Sequence, residues 1–138
     1  MKNLLYVILV VILLLVGATW WSRSLSSGDS SVISRNGIHW HPELEIYLGE
    51  EQIEIPQNLG LIGQHSPVHT HDDLPIIHLE FASLVREDDV RLGEFFRVWG
   101  KDISSFGSLT SMTVNGEESF EFENHLMRDG DKIVLRYK

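Results

Sequence analysis

Residues 109–137, LTSMTVNGEESFEFENHLMRDGDKIVLRY, contain the clearest strand pattern in the chain. Leu109–Val114 and Glu117–Phe122 flank the dipeptide Asn115-Gly116, and Asn-Gly is the strongest two-residue signal for a β-hairpin. A turn then leads into Lys132–Tyr137, in which every second residue is large and either aliphatic or aromatic. The stretch therefore predicts a hairpin followed by a closing strand.

The chain before this stretch supplies another hairpin, a strand and a helix. Glu43–Leu48 alternates apolar with polar side chains, and Gln52–Ile55 repeats the pattern after a glycine-containing turn. Ile76–Phe81 reads as a further strand. Apolar residues recur at i, i+3, i+4 and i+7 from Leu92 to Trp99, and Gly100 follows, which predicts a short amphipathic helix with a glycine cap. This order predicts an α+β domain in which one main helix covers a small mixed sheet.

The first 36 residues predict a membrane anchor and a tether. Leu4–Trp21 carries no charge, and as a helix it would be about 27 Å long, close to the hydrocarbon thickness of a bilayer. A cleaved signal peptide is the competing interpretation. Ser22–Asn36 is rich in serine and reads as a flexible linker. We therefore expect a single transmembrane helix at 1–21, a tether at 22–36 and an extracytoplasmic domain at 37–138.

Composition excludes several classes of function. The formal net charge is −9, and all 20 acidic residues lie beyond the expected anchor. Nucleic acid is not an expected partner, because phosphate binding requires a basic face. The chain has no cysteine, so disulfides, thiolate zinc sites and iron–sulfur clusters are excluded. No Gly-x-Ser-x-Gly or phosphate-binding glycine loop occurs either.

Histidines give the strongest functional signal. Six of the seven lie between residues 39 and 78, and they include two His-x-His pairs. Residues two apart on an extended chain point to the same side, so each pair can present two imidazoles together. Two pairs from separate segments can then converge on one ion, with a further histidine from the strand Ile76–Phe81. The predicted metal ligands are His39, His41, His69, His71 and His78.

Three further residues are candidates beside these five. His65 lies in a Gly- and Pro-containing loop, while Asp72 and Glu80 could bind the ion or orient an imidazole as hydrogen-bond acceptors. A nitrogen-rich site outside the cytoplasm suits Cu(II) first and Zn(II) second. An alternative is a non-haem iron triad of His71, Asp73 and a distant histidine such as His125. Otherwise we expect His125 to be structural.

Two resemblances accompany these patterns. The motifs are His39-x-His41, His65-x3-His69-x-His71-Asp72, IHLE at 77–80 and LGEFF-x-x-WG at 92–100. Their combination, which runs over most of Gly37–Tyr137, resembles a family of uncharacterised exported or membrane-anchored domains of bacteria and archaea. That resemblance implies metal binding without an established reaction.

The ending LMRDGDKIVLRYK resembles the last turn and strand of β-grasp domains such as the ubiquitin-like sulfur carriers. Sulfur carriers need a C-terminal Gly-Gly, whereas Tyr137-Lys138 stands here. The second resemblance therefore implies a β-grasp-like fold and not sulfur transfer.

The leading functional expectation is a membrane-anchored extracytoplasmic domain that binds copper or zinc in order to buffer the ion or transfer it. A second is a metal-dependent enzyme with an open coordination position, in which Glu80 or Asp72 acts as general base. A third is an interaction domain that senses pH, since histidines become cationic near pH 6. The sequence leaves these alternatives open, and with them the question of enzymatic activity.

Overall fold

The computed structural model describes residues 2–25 and 31–138, and the chain divides into two compact units between residues 30 and 31. The first unit contains helix α1, Lys2–Leu25. Several of its large side chains are exposed, including Tyr6 and Trp20. Within the described residues, no helix is both long and apolar enough to span a membrane. The transmembrane helix expected at 1–21 stays a prediction.

The second unit contains short strands and one further α-helix. In chain order the strands are β1 Val32–Ser34, β2 Ile38–Trp40, β3 Glu43–Leu48, β4 Glu51–Ile53, β5 Val68–His69, β6 His78–Phe81, β7 Val85–Arg86, β8 Leu109–Val114, β9 Glu117–Glu118 and β10 Lys132–Tyr137. Helix α2, Leu92–Trp99, follows a 3-10 turn at Glu87–Val90, and a second 3-10 turn occupies Phe122–Asn124. The unit is α+β, as predicted.

The largest sheet has the strand order β4-β3-β10-β8-β9. Strand β10 runs parallel to β3 and antiparallel to β8, so the sheet is mixed. Leu44 lies opposite Ile133, and Leu135 lies between Ile46 and Met112. All five side chains are buried, which confirms the alternation read from the sequence. They form the centre of the hydrophobic core.

Helix α2 covers the core with its apolar face. It buries Phe95 and Phe96 and ends at Gly100, whose φ of 73° is a left-handed conformation that glycine adopts without strain. Phe96 and Trp99 contact the ring of Phe106, and that ring in turn contacts Tyr137 of β10. A line of aromatic contacts therefore connects the helix with the central strand.

Two smaller sheets complete the unit, with the orders β2-β6-β5 and β1-β7. Strand β1 falls inside the stretch 22–36, where the sequence predicts a tether. Helix α1 also continues to Leu25, while residues 26–30 lie outside the described part of the chain. Val32 and Ile33 favour extended structure, and Ile33 packs against the core. This packing accounts for a strand in a serine-rich stretch.

Candidate metal centre

The three-stranded sheet places polar side chains on one face. Strand β6 lies in its middle, with His39 of β2 opposite Glu80 and His69 of β5 opposite His78. His78 and Glu80 are two residues apart, so both project from the same face. Leu79, which lies between His78 and Glu80, projects from the other face. Its partners on the neighbouring strands are Trp40 and Val68, and both Leu79 and Val68 are buried. Core packing of the apolar row thus fixes which face carries the histidines.

Five imidazoles gather on this face, and we call them the histidine cluster. His41 and His71 follow β2 and β5, and their ring centroids lie 5.0 and 4.7 Å from that of His78. The cluster offers two sets of three donor atoms, and the atoms within each set lie within 4.8 Å of one another. The β2 group is His39, His41 and His78, and the β5 group is His69, His71 and His78. His78 belongs to both groups, and either group could hold a metal ion.

The cluster extends from the interior to the surface. His69 and His78 are 1% and 8% exposed, whereas the side chains of His39 and His41 are 64% and 39% exposed. An ion bound near His78 would be largely shielded from water. Because His39 and His41 are partly exposed to solvent, an ion could enter or leave the cluster through the β2 group.

His78 has one satisfied and one unsatisfied ring nitrogen. Its Nε2 lies 3.1 and 3.2 Å from the two carboxylate oxygens of Asp73. Its Nδ1 is buried without a hydrogen-bond partner, and the nearest charged group is Oε1 of Glu80 at 3.7 Å. An acidic acceptor at Nε2 places the proton there, which leaves a lone pair on Nδ1. Because a buried unsatisfied polar atom costs about 1–3 kcal/mol, a metal ion at Nδ1 would relieve that cost.

His69 is held in a form suited to metal binding. Its Nδ1 lies 3.1 Å from the carbonyl oxygen of Ser66, so Nδ1–H donates and Nε2 keeps its lone pair. Burial lowers the pKa of His69 below its usual value. The ring therefore stays neutral at lower pH than an exposed histidine, as a ligand must.

Carboxylates surround the cluster. Oε1 of Glu80 lies 3.2 Å from Nε2 of His39, and Oδ1 of Asp129 lies 3.7 Å from Nδ1 of His41. Asp129 also accepts a hydrogen bond from the backbone N–H of His41 at 2.8 Å. The hydrogen bond with His78 lowers the pKa of the Asp73 carboxyl group. These oxygens can orient imidazoles or bind an ion directly.

The other predicted candidates lie at the margin. His65 is exposed, and its ring centroid is 5.4 Å from that of His69, but it belongs to neither group. Asp72 is also exposed, and the neighbouring Asp73 is the residue that contacts His78. The residue pattern indicated neither Asp73 as the partner of His78 nor Asp129 as a neighbour of His41. Neither residue stands in a periodic pattern that would have indicated it.

His125 lies in a separate arrangement. Its Nδ1 is 2.9 Å from Oε2 of Glu121, and its Nε2 is 3.1 Å from Oδ2 of the buried Asp131. Within residues 2–25 and 31–138, it belongs to no group that could hold an ion. The iron triad of His71, Asp73 and His125 is therefore not assembled. Its two carboxylate contacts fit the structural role expected for His125.

A cleft lies beside the cluster. Its volume is about 580 Å³, and its lining includes His65, Ser66 and Arg97 but none of the five clustered histidines. The described donor atoms therefore do not face this cleft.

Comparison of the chain with known protein families, with curated proteins and with solved structures finds no match in any of the three. The resemblance to exported His-rich domains stays a prediction.

Proposed function

We propose that the histidine cluster binds a transition-metal ion, copper first and zinc second, in order to buffer the ion or pass it on. The observation that carries the proposal is the convergence of five imidazoles from three segments, with donor atoms within 4.8 Å in each group. The buried, unpartnered Nδ1 of His78 supports it, because a metal ion is the partner that this atom lacks.

The donor set favours particular metals. Imidazole nitrogens suit Cu(II), Zn(II) and Ni(II), and affinities for divalent ions rise to a maximum at copper. Glu80 and Asp73 would add carboxylate oxygens, which both Cu(II) and Zn(II) accept. The partial exposure of His39 and His41 suits an ion that is exchanged with a partner.

We also propose that helix α1 anchors the chain in a membrane and that the second unit lies outside the cytoplasm. The uncharged run Leu4–Trp21 and the terminal pair Trp20-Trp21 support this proposal, since tryptophan favours the membrane interface. Retention in the membrane fraction after alkaline extraction is the expected result. Release of the intact chain into the supernatant would contradict the anchor.

For the second unit we infer a β-grasp-like fold. The order of elements supports this inference. The hairpin β3-β4 is followed by helix α2 and the hairpin β8-β9, and the last strand, β10, lies parallel to β3 in the middle of the sheet.

Metal analysis tests the main proposal. The purified full-length chain is loaded with Cu(II) or Zn(II), freed of unbound metal and analysed for metal content. We expect stoichiometric metal in the unchanged chain and a reduced content in His69→Ala/His71→Ala. His125→Gln is the matched control, because it alters a buried histidine outside the cluster and is expected to keep full metal content. A folded, unchanged chain without stoichiometric metal would refute the proposal.

A metal-dependent enzyme is the second candidate. Each group offers three histidines, and three protein ligands with one open position are typical of catalytic zinc sites. Azide added to the Cu(II)-loaded chain distinguishes the two functions. A changed copper spectrum would indicate an open position and favour the enzyme, whereas an unchanged spectrum is expected of a filled binding site.

A further inference from the structure

The membership of His78 in both groups has a consequence for the number of ions. We propose that the cluster holds two metal ions at once and that His78 bridges them, with Nδ1 bound to the ion of the β2 group and Nε2 to the ion of the β5 group. This inference rests on the metal binding proposed above and adds the number of ions and their linkage.

The carboxylate of Glu80 lies near ring nitrogens of two histidines of the β2 group. Oε1 of Glu80 lies 3.7 Å from Nδ1 of His78 and 3.2 Å from Nε2 of His39. Ligand atoms placed tetrahedrally at about 2.1 Å from zinc lie about 3.4 Å from one another. The carboxylate oxygen of Glu80 therefore lies near this separation from each of the two nitrogens. Glu80 becomes the fourth ligand of the β2 group, beside His39, His41 and His78.

The carboxylate of Asp73 lies at the other ring nitrogen of His78, Nε2. Both carboxylate oxygens of Asp73 lie within 3.2 Å of this nitrogen. The ring of His78 also adjoins that of His71, since their centroids lie 4.7 Å apart. Asp73 is thereby placed as the fourth ligand of the β5 group, beside His69, His71 and His78. Each ion then has three imidazoles and one carboxylate.

The shape of the imidazole ring limits how His78 can serve both groups. Nδ1 and Nε2 point in different directions from one imidazole, so a single ion cannot bind both. Because each group needs His78, two ions can be complete together only when this ring bridges them. The bridging ring must give up its remaining N–H proton to solvent, and it then carries a lone pair on each nitrogen. The two cations, one on either side, stabilise the negative charge of the ring.

Copper titration of the full-length chain tests the bridge. We expect two Cu(II) per chain, with an ordinary paramagnetic resonance signal at half loading. At full loading most of the intensity is expected to disappear, because an imidazolate couples the two copper spins antiferromagnetically. Filling the second site with Zn(II) instead of copper is expected to keep the signal of one copper while two metal ions are bound. This comparison needs no substitution.

Paired variants separate the two sites. His39→Ala/His41→Ala and His69→Ala/His71→Ala are each expected to retain one copper with full signal, while His125→Gln keeps two coupled coppers. One copper per unchanged chain, or two coppers with undiminished signal, would overturn the bridge and leave the proposed metal binding intact. A folded chain that binds no copper or zinc would instead refute the proposed function itself.

Discussion

At the scale of single residues, two buried histidines have contrasting surroundings. His125 has a carboxylate within hydrogen-bond distance of each ring nitrogen, whereas Nδ1 of His78 has no such partner. An imidazole with a hydrogen-bond partner at each ring nitrogen stabilises the fold without any bound ion. An imidazole with a buried lone pair is suited to accept an ion.

Replacement of His125 by alanine tests its structural role. We expect His125→Ala to lower the free energy of unfolding by about 2 kcal/mol, because it leaves the buried carboxylate of Asp131 without one of its partners. His125→Gln, which can still donate a hydrogen bond, is expected to lose less. Urea unfolding of the metal-free chain measures both changes. Equal stability of the alanine variant and the unchanged chain would contradict the role.

Tyr137 gives a prediction about alkaline pH. Its hydroxyl donates a hydrogen bond to the carbonyl oxygen of Ile103 at 2.7 Å, and burial raises its pKa to about 12. Because the folded chain favours the protonated phenol, this contribution to stability is complete below about pH 10, the ordinary tyrosine value. It is lost as the pH rises from there through about 12.

The difference in phenolate absorbance between the unchanged chain and Tyr137→Phe isolates this group. We expect a midpoint near 12 while the chain is folded, as judged by circular dichroism. A midpoint near the ordinary tyrosine value in the folded chain would contradict the prediction.

At the scale of elements, Gly37 allows β2 to approach β6. Its φ is 82°, and a Cβ at this position would overlap the carbonyl oxygen of Phe81. Any larger residue must therefore move β2, and β2 carries His39.

Gly37→Ala and Gly49→Ala form a matched pair. Both glycines have positive φ, so either alanine is strained by about 1–3 kcal/mol, but a Cβ at Gly49 meets no atom within 4 Å. We expect Gly37→Ala to lose more unfolding free energy than Gly49→Ala and to bind metal more weakly. Urea unfolding and metal titration measure the two effects. Equal losses in both variants would show that the contact with Phe81 is unimportant.

The sequence predicted elements whose signals are local. The spacing of apolar residues in α2, the Asn115-Gly116 turn and the alternation in β10 each need only neighbouring residues, and the structure confirms all three. Strand β5 has two residues and becomes a strand only by pairing with β6, so no periodicity could indicate it. Strand β1 was missed for the same reason.

For the candidate site, too, the sequence predicted only what neighbouring residues determine. Residue spacing predicted that each His-x-His pair would share a side, and the two groups contain these pairs. The contact of His78 with Asp73 rather than Asp72 depends on how the loop before β6 turns. That path is set by tertiary packing, which spacing does not reveal.

At the scale of the whole molecule, the histidine cluster connects separated parts of the chain. Its five histidines come from residues 39–41, 69–71 and 78, which meet only in the folded unit. A ligand that binds the folded state alone stabilises it by mass action.

Zinc should therefore raise thermal stability. At free Zn(II) of about 100 times the dissociation constant, we expect a gain of about 2.7 kcal/mol for each site, and binding of zinc to unfolded histidines would reduce it. Calorimetry with and without a chelator measures the change. The variant lacking His39, His41, His69 and His71 is the control and should show no gain. A melting temperature independent of zinc in the unchanged chain would contradict the prediction.

The central position of β10 also constrains biosynthesis. Strand β10 joins β3 to β8, yet it is the last of these three strands to be made, since the ribosome works from the N-terminus. Until Lys132–Tyr137 has been synthesised, the nascent polypeptide carries a β3 strand whose parallel partner does not yet exist. An unpaired strand edge invites association with other chains. A nascent chain without β10 therefore exposes an edge of β3 that the folded domain covers.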